Sequence, residues 1–429
     1  MPPRVVLATV GSLGDLHPFI AIARRLQERG VEPIIATAPD YEQRVRSAGI
    51  AFHGVRPGLA ETLQRLGITQ QQLAELASKD SWYLFREAVF PALRLAYDDI
   101  LPLMEGASLV ATSSLAFPAK LAADVKGIRH VAIVLQPIMF FSAYDPPLVP
   151  EVPWLASFLK SLGPRGAGCA IRLLKNLGRR RAAPLFALRR ELGLPPIAGD
   201  AVIDGQFPSD GTALALYSEL LGKIEPDYPP RTQITGFAFY DGADQQPSAQ
   251  SESLQRFLDA GPPPIVFTLG SFVVANAADF YEVSLEAARA LKMRAVLLVG
   301  ETSTSSKTFS QSEDLFIADY APYSTLFSRC AVIVHQGGIG TSAQALRAGR
   351  PQLVVPFSGD QPDNAVRLAR LGVGRYLERK HYRVARVREA LQALMNDARY
   401  AQRASEVSAR VKSEDGAQKA ADILVELLR

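Results

Sequence analysis

Cysteine is almost missing from this chain. Cys169 and Cys330 are the whole supply and stand far apart. Two isolated thiols cannot make a disulfide framework or a thiolate metal site, so a reducing compartment such as the cytoplasm is expected. Charge of one sign is lacking too. The 47 basic and 43 acidic residues leave a net charge of +4, too small an excess for a nucleic-acid face. Long hydrophobic runs are also missing. The nearest, Val131 to Phe141, is broken by Gln136-Pro137, well short of the roughly 18 apolar residues a membrane helix needs. The apolar run after Met1-Pro-Pro-Arg stops at Gly11, too soon for the core of a signal peptide. A soluble cytoplasmic protein is the expectation.

What the chain has is apolar content arranged in units. Hydrophobic residues make up 48% of its 429 positions, enough for full cores. Arg4 to Val10 reads as a strand covered on both faces. Pro18 to Arg29, stopped by Gly30, reads as a helix. The alternation continues with a strand at Pro33 to Thr37, a helix at Tyr41 to Ala48, and strands at Ser108 to Thr112 and Arg129 to Leu135 around the helix Ala116 to Lys126. It resumes with strands Pro264 to Leu269, Ala295 to Val299, Leu315 to Ala318, Ala331 to His335 and Gln352 to Pro356, and helices Asp279 to Leu291 and Ser342 to Ala348. Two α/β domains with doubly wound parallel sheets are expected. The boundaries are 1–240, a linker at 241–253, 254–410, and a last helix in 411–429 that returns to the first domain. Residues 145–200 differ, with an irregular proline-rich stretch followed by an arginine-rich helix. Arg179-Arg180-Arg181 and Arg189-Arg190 read as a solvated face, or else as a surface for membrane lipid or an anionic acceptor.

In doubly wound domains ligands sit beyond the carboxyl ends of the strands. Four turns there are rich in small residues: Gly11-Ser12-Leu13-Gly14-Asp15, Thr268-Leu269-Gly270-Ser271, His335-Gln336-Gly337-Gly338-Ile339-Gly340-Thr341, and Ser358-Gly359-Asp360-Gln361. Small residues at a helix N-terminus let backbone amides approach an anion, and the helix dipole favours it. Gly338, Gly340 and Thr341 suit a diphosphate. A dinucleotide-dependent oxidoreductase is excluded. The first turn lacks Gly-x-Gly-x-x-Gly, and the strand Pro33 to Thr37 ends without an acid.

The run Gly337 to Thr341, with Pro356-Phe357-Ser358-Gly359-Asp360-Gln361 downstream, resembles the donor-binding signature of the family 1 glycosyltransferases. The opening Gly-Ser-Leu-Gly-Asp-Leu-His-Pro is similar to that of their bacterial branch, which includes antibiotic, sterol and rhamnolipid glycosyltransferases. The resemblance implies the GT-B fold, two facing Rossmann-like domains with an interdomain cleft. It implies transfer of a hexose from a nucleotide sugar, UDP-glucose or dTDP-rhamnose, to a small apolar hydroxylated acceptor, with inversion. It places Tyr320 on the donor base and the Ala321 backbone at the base edge. Thr268, Ser271 and Ser12 fall near the phosphates, and Asp360 and Gln361 on the sugar hydroxyls. Gln336 occupies the position of the family's phosphate-binding histidine, with His335 one residue earlier, so either could serve.

Asp15 is the candidate base, the bacterial branch carrying Asp there; its other reading is a helix cap. His17 is the rival base. No cofactor and no metal is expected, since helix N-termini can do the cation's work. Phe117, Phe140 and Phe141 are candidates to line an apolar acceptor pocket. A GT-B epimerase or a non-catalytic sugar-nucleotide-binding subunit are the alternative readings.

Overall fold

Two parallel sheets carry the architecture in the computed structural model, which describes residues 2–197, 199–241, 249–271, 273–300 and 309–429. The first contains β1 (Arg4–Ala8), β2 (Glu32–Thr37), β3 (Ala51–Gly54), β4 (Ala107–Ser113), β5 (His130–Val134), β6 (Thr212–Ala215) and β7 (Arg231–Ile234), in the order β3-β2-β1-β4-β5-β6-β7. The second contains β8 (Ile265–Thr268), β9 (Ala295–Leu298), β10 (Leu315–Ala318), β11 (Val332–His335), β12 (Gln352–Val354) and β13 (Gly374–Tyr376), in the order β10-β9-β8-β11-β12-β13. Strands such as Val5-Val6-Leu7 and Ile265-Val266-Phe267 are inaccessible to solvent, as continuous apolar runs in two-sided parallel sheets should be. In each sheet the strand order reverses beside the first strand, between β1 and β4 and between β8 and β11. Ligands of doubly wound folds bind outside such reversals.

The chain divides into two compact units. The first comprises residues up to Thr69, Asp80–Tyr240 and Glu414–Arg429; the second comprises Gln70–Lys79 and Asp241–Ser413. In the first unit, helix Gly416–Glu426 lies on helix Leu13–Gln27. Ala417, Ala420, Ala421 and Leu424 are buried there, and Arg25 and Arg29 pair with Asp415 and Asp422 at 3.0 and 2.7 Å. In the second, helix Gln70–Lys79 packs on residues Val273–Asn276, where the Asn276 amide donates to Ser78 Oγ at 3.3 Å.

Three local expectations change. The first helix starts at Leu13, five residues before Pro18, because Ser12 and Asp15 close a capping box ahead of it. Pro18 then sits inside the helix, where its ring faces the carbonyl of small Gly14. Helix Ala249–Asp259 begins within the expected linker, since Leu254 and Leu258, one turn apart, are buried in the second unit's core. The rest of that linker, 242–248, lies outside the described residues. The stretch around Pro164 is helical, with helices Trp154–Ser161 and Gly163–Gly178 nearly continuous; proline is well placed in a first turn.

Candidate active site

In the first unit, the turn after β1 is built around one carboxylate. Ser12 is the N-cap of helix Leu13–Gln27 and Asp15 its third residue. The Ser12 amide donates to Asp15 Oδ2 at 2.7 Å, and the Ser12 hydroxyl donates to the same oxygen at 3.1 Å. Among the described residues no other residue donates to Oδ1, and both Ser12 bonds go to Oδ2. Gly11 holds φ +140°, and a Cβ there would stand 2.3 Å from Asp15 Oδ2, so only glycine lets the carboxylate fold back onto the turn. Ser113 Oγ, at the end of β4, accepts from the Val10 amide at 3.2 Å and anchors the turn to the neighbouring strand.

Burial raises the Asp15 carboxyl above its usual 3.8, against the pull of the Ser12 bonds. Tyr41 donates to the Gly11 carbonyl at 3.0 Å; burial, then the charge of Asp15, push its phenol to about 12. His17 points elsewhere. Its Nε2 lies 3.2 Å from Arg44 Nη1, and its ring meets Tyr240 edge-on at 5.6 Å. A guanidinium can only donate, so the Nε2 lone pair of His17 is taken up by Arg44 and is not free to accept a proton.

In the second unit, the turns after β8 and β11 meet at the strand-order reversal. Thr268 and His335 are register partners at the ends of these strands. His335 is fully buried: its Nδ1 accepts from the Gly337 amide at 3.1 Å and its Nε2 faces Gln352 Oε1 at 2.9 Å. With both ring nitrogens occupied, and burial lowering its pKa to about 4, the ring is a neutral brace for the turn. Gln336, one residue on, points to the other side of the chain. A Cβ placed on Gly270 or Gly338 would stand 2.3 or 2.8 Å from Gln336 Nε2. The amide therefore lies across both glycines. Its Oε1 is buried with no partner among the described residues.

Gly338 is the N-cap of helix Ile339–Ala348, and no side chain caps it. The first amides of that helix, in Ile339, Gly340 and Thr341, have no intrahelical acceptor, and among the described residues no side chain caps them. Gly337, at φ +91°, makes the bend, and its carbonyl accepts from the Asn364 amide at 2.9 Å. Asn364 also donates to Asp360 Oδ2 at 2.7 Å, so one side chain ties the third turn to the fourth. Asp360 is the N-cap of helix Gln361–Leu371. Gln361 Oε1 accepts from the Phe357 and Ser358 amides at 2.9 and 3.2 Å, which leaves its NH2 group as the end able to reach a ligand.

Other expected site residues are placed less simply. Tyr320 is 43% exposed just beyond β10, with buried Ala321 beside it. Ser271 is exposed in the turn after Gly270, but the Thr268 hydroxyl is buried and bonded to the Tyr323 hydroxyl at 2.9 Å. The acceptor candidates need correction. Phe117 is in the first unit's core, and Phe140 is stacked between Phe207 and Tyr228, at 5.6 and 3.9 Å between ring centroids. Only Phe141 keeps accessible surface, half-buried against Leu155 and Leu159. Sequence reasoning missed Tyr323, Gln352 and Asn364, whose work is to hold other residues. Only the placement of Asn364 one helical turn after Asp360 gave a signal.

Residues 5–102 match the glycosyltransferase family 28 N-terminal domain, and residues 284–427 match the erythromycin biosynthesis protein CIII-like C-terminal domain. The vancomycin aglycone glucosyltransferase of Amycolatopsis orientalis is 30% identical over 378 residues, covering 86% of this chain and 85% of that protein. A sterol 3-beta-glucosyltransferase of Arabidopsis thaliana is 27% identical over 433 residues, covering 97% of this chain and 64% of the plant protein. Among solved structures, the glycotransferase of kitacinnamycin superposes with a TM-score of 0.70 at 22% identity, over the whole of both chains. The chain belongs to the family 1 glycosyltransferases of GT-B fold. It is a nucleotide-sugar-dependent hexosyltransferase. Among the described residues no helix is long and apolar enough to cross a membrane.

Proposed function

We propose that this enzyme moves a hexose from UDP-glucose or a dTDP-sugar such as dTDP-rhamnose to a hydroxyl of a small apolar acceptor, a sterol- or polyketide-like alcohol, with inversion at the anomeric carbon. The observation that carries this reading is the Gln336 amide laid across Gly270 and Gly338, at the uncapped start of helix Ile339–Ala348. Backbone amides, a helix dipole and a side-chain NH2 converge there, and that is the chemistry a pyrophosphate requires. Gln336 takes the phosphate and His335 holds the turn. Tyr320 stacks on the base, with the Ala321 backbone at the base edge. Asp360 and the Gln361 NH2 group bind the sugar hydroxyls.

Asp15 is the general base. Ser12 fixes Oδ2, and Oδ1 accepts the proton as the acceptor oxygen attacks the anomeric carbon. The raised pKa of Asp15 makes it a better proton acceptor than an exposed aspartate. The departing diphosphate gains negative charge as the bond breaks, and the preorganised amides stabilise it without rearranging. Transfer on this account needs no divalent cation and no cofactor.

The experiment is to incubate the purified protein with UDP-glucose, dTDP-glucose and dTDP-rhamnose against a panel of apolar alcohols, with and without EDTA. The expected result is a β-glucoside from UDP- or dTDP-glucose, or a product inverted from dTDP-rhamnose, at a rate EDTA does not change. Donor turnover without any acceptor, or a product of retained configuration, would overturn the reading.

A further inference from the structure

The first unit displays an apolar surface that the transfer chemistry does not use. Helices Trp154–Ser161 and Gly163–Gly178 pack on each other through Leu155, Leu159, Ala167 and Ile171. Their outer faces are not polar. Trp154, Phe158 and Leu162 recur every fourth residue and are exposed, Trp154 at 63%. On the second helix Leu173 and Leu177, one turn apart, are exposed as well, Leu177 at 66%. Side chains of this size in this number are rarely left to water without a partner.

Along this stretch of the chain the charge has a single sign. No acidic residue occurs between Glu151 and Glu191. Some of the cations there are held within the protein: Lys175 pairs with Asp204, and Arg189 with Asp124. Lys160, Arg165, Arg172 and Arg180 are exposed and form no ion pair with a carboxylate among the described residues. Arg165 and Arg172, seven residues apart, fall about 20° from each other around the helix, on the face beside Leu173 and Leu177. Aromatic and leucine side chains flanked by arginines are the pattern of a helix lying in a membrane interface, its apolar side in the acyl boundary and its cations among anionic headgroups.

We infer that helices Trp154–Ser161 and Gly163–Gly178 form a docking surface for anionic lipid bilayers, holding the enzyme peripherally on a membrane. The exposed cations Lys160, Arg165, Arg172 and Arg180 select an anionic bilayer. The inference is independent of the donor and base assignments above.

Flotation of the full-length protein with vesicles of phosphatidylcholine alone, or phosphatidylcholine mixed with phosphatidylglycerol, tests it. The protein is expected to float with the mixed vesicles, far less with the neutral ones, and to be released by salt. The variant Trp154→Ser/Phe158→Ser/Leu177→Ser, with the wild-type circular dichroism spectrum, is expected to lose flotation. The variant Arg165→Gln/Arg172→Gln is expected to weaken it about 25-fold, from about fivefold per cation at an anionic surface. Equal flotation of wild type and both folded variants overturns the inference. So does absence of binding to mixed vesicles, or a wild-type dimer in solution that the apolar variant converts to monomer.

Discussion

Ser12 and Asp15 are locked together: the backbone amide and the hydroxyl of the one donate to a single carboxylate oxygen of the other, at 2.7 and 3.1 Å. The contact closes the N-terminus of the first helix through Oδ2 alone, and among the described residues no other residue donates to Oδ1. On the proposed mechanism capping and catalysis do not compete for Asp15, because they would use different oxygens.

Asp15→Asn keeps an acceptor for the Ser12 amide and removes the proton acceptor. Transfer is expected to fall by a factor of about 10² to 10⁴ in kcat. The dissociation constant for UDP or dTDP, by calorimetry, should stay within a factor of about two. A kcat that survives would move the base elsewhere.

The same residue fixes the sign of two pH effects. The folded-state pKa of Asp15 is raised, so its protonated form is the stabilising one. That contribution is present below the usual 3.8 and is lost as pH rises through the raised value. At neutral pH, Asp15→Asn is therefore expected to melt no lower than wild type. The acid limb of kcat/KM should lie above 3.8 and should be absent from the residual activity of the variant. Melting curves and pH–rate profiles check both.

Gln336→Ala removes a donor from the candidate phosphate site. Nucleoside-diphosphate affinity is expected to drop roughly tenfold, the loss of about one hydrogen bond to a charged group. Gly270→Ala should act on the same contact indirectly. Its Cβ would fall 2.3 Å from Gln336 Nε2, the far end of a flexible chain, so the amide should swing away. Donor affinity should fall while stability changes by less than about 1 kcal/mol.

His335 should matter for stability, not for binding charge. His335→Ala leaves the Gly337 amide and Gln352 Oε1 without partners in a fully buried site. It is expected to cost about 2 to 4 kcal/mol by chemical denaturation. With its pKa lowered to about 4, His335 contributes stability that is present above the usual 6.5 and lost as pH falls through 4. The wild type should therefore weaken across that window more than His335→Gln does. Nucleotide affinity between pH 6 and 8 should not follow a histidine titration.

The sheets were legible because parallel strands buried on both faces read as unbroken apolar runs, as at Val5-Val6-Leu7 and Val332-Ile333-Val334. Short or half-exposed strands such as Ala51–Gly54 and Gly374–Tyr376 carry too few apolar residues to be read that way. The glycine turns were legible too, since close backbone approach needs glycine. What those turns do to one another was not. That Gln336 lies over Gly270, 66 positions earlier in the chain, follows from the pairing of β8 with β11, which no local pattern encodes. Phe117 and Phe140 misled for a related reason: an aromatic in an apolar segment looks the same whether it lines a pocket or fills a core.

The most direct measurement is the structure of the protein with UDP or dTDP bound. Phosphate oxygens are expected within about 3 Å of Gln336 Nε2 and of the amides from Gly338 to Thr341, with the base against Tyr320. A nucleotide seated elsewhere, or none at saturating concentration, would contradict the assignment of the donor site.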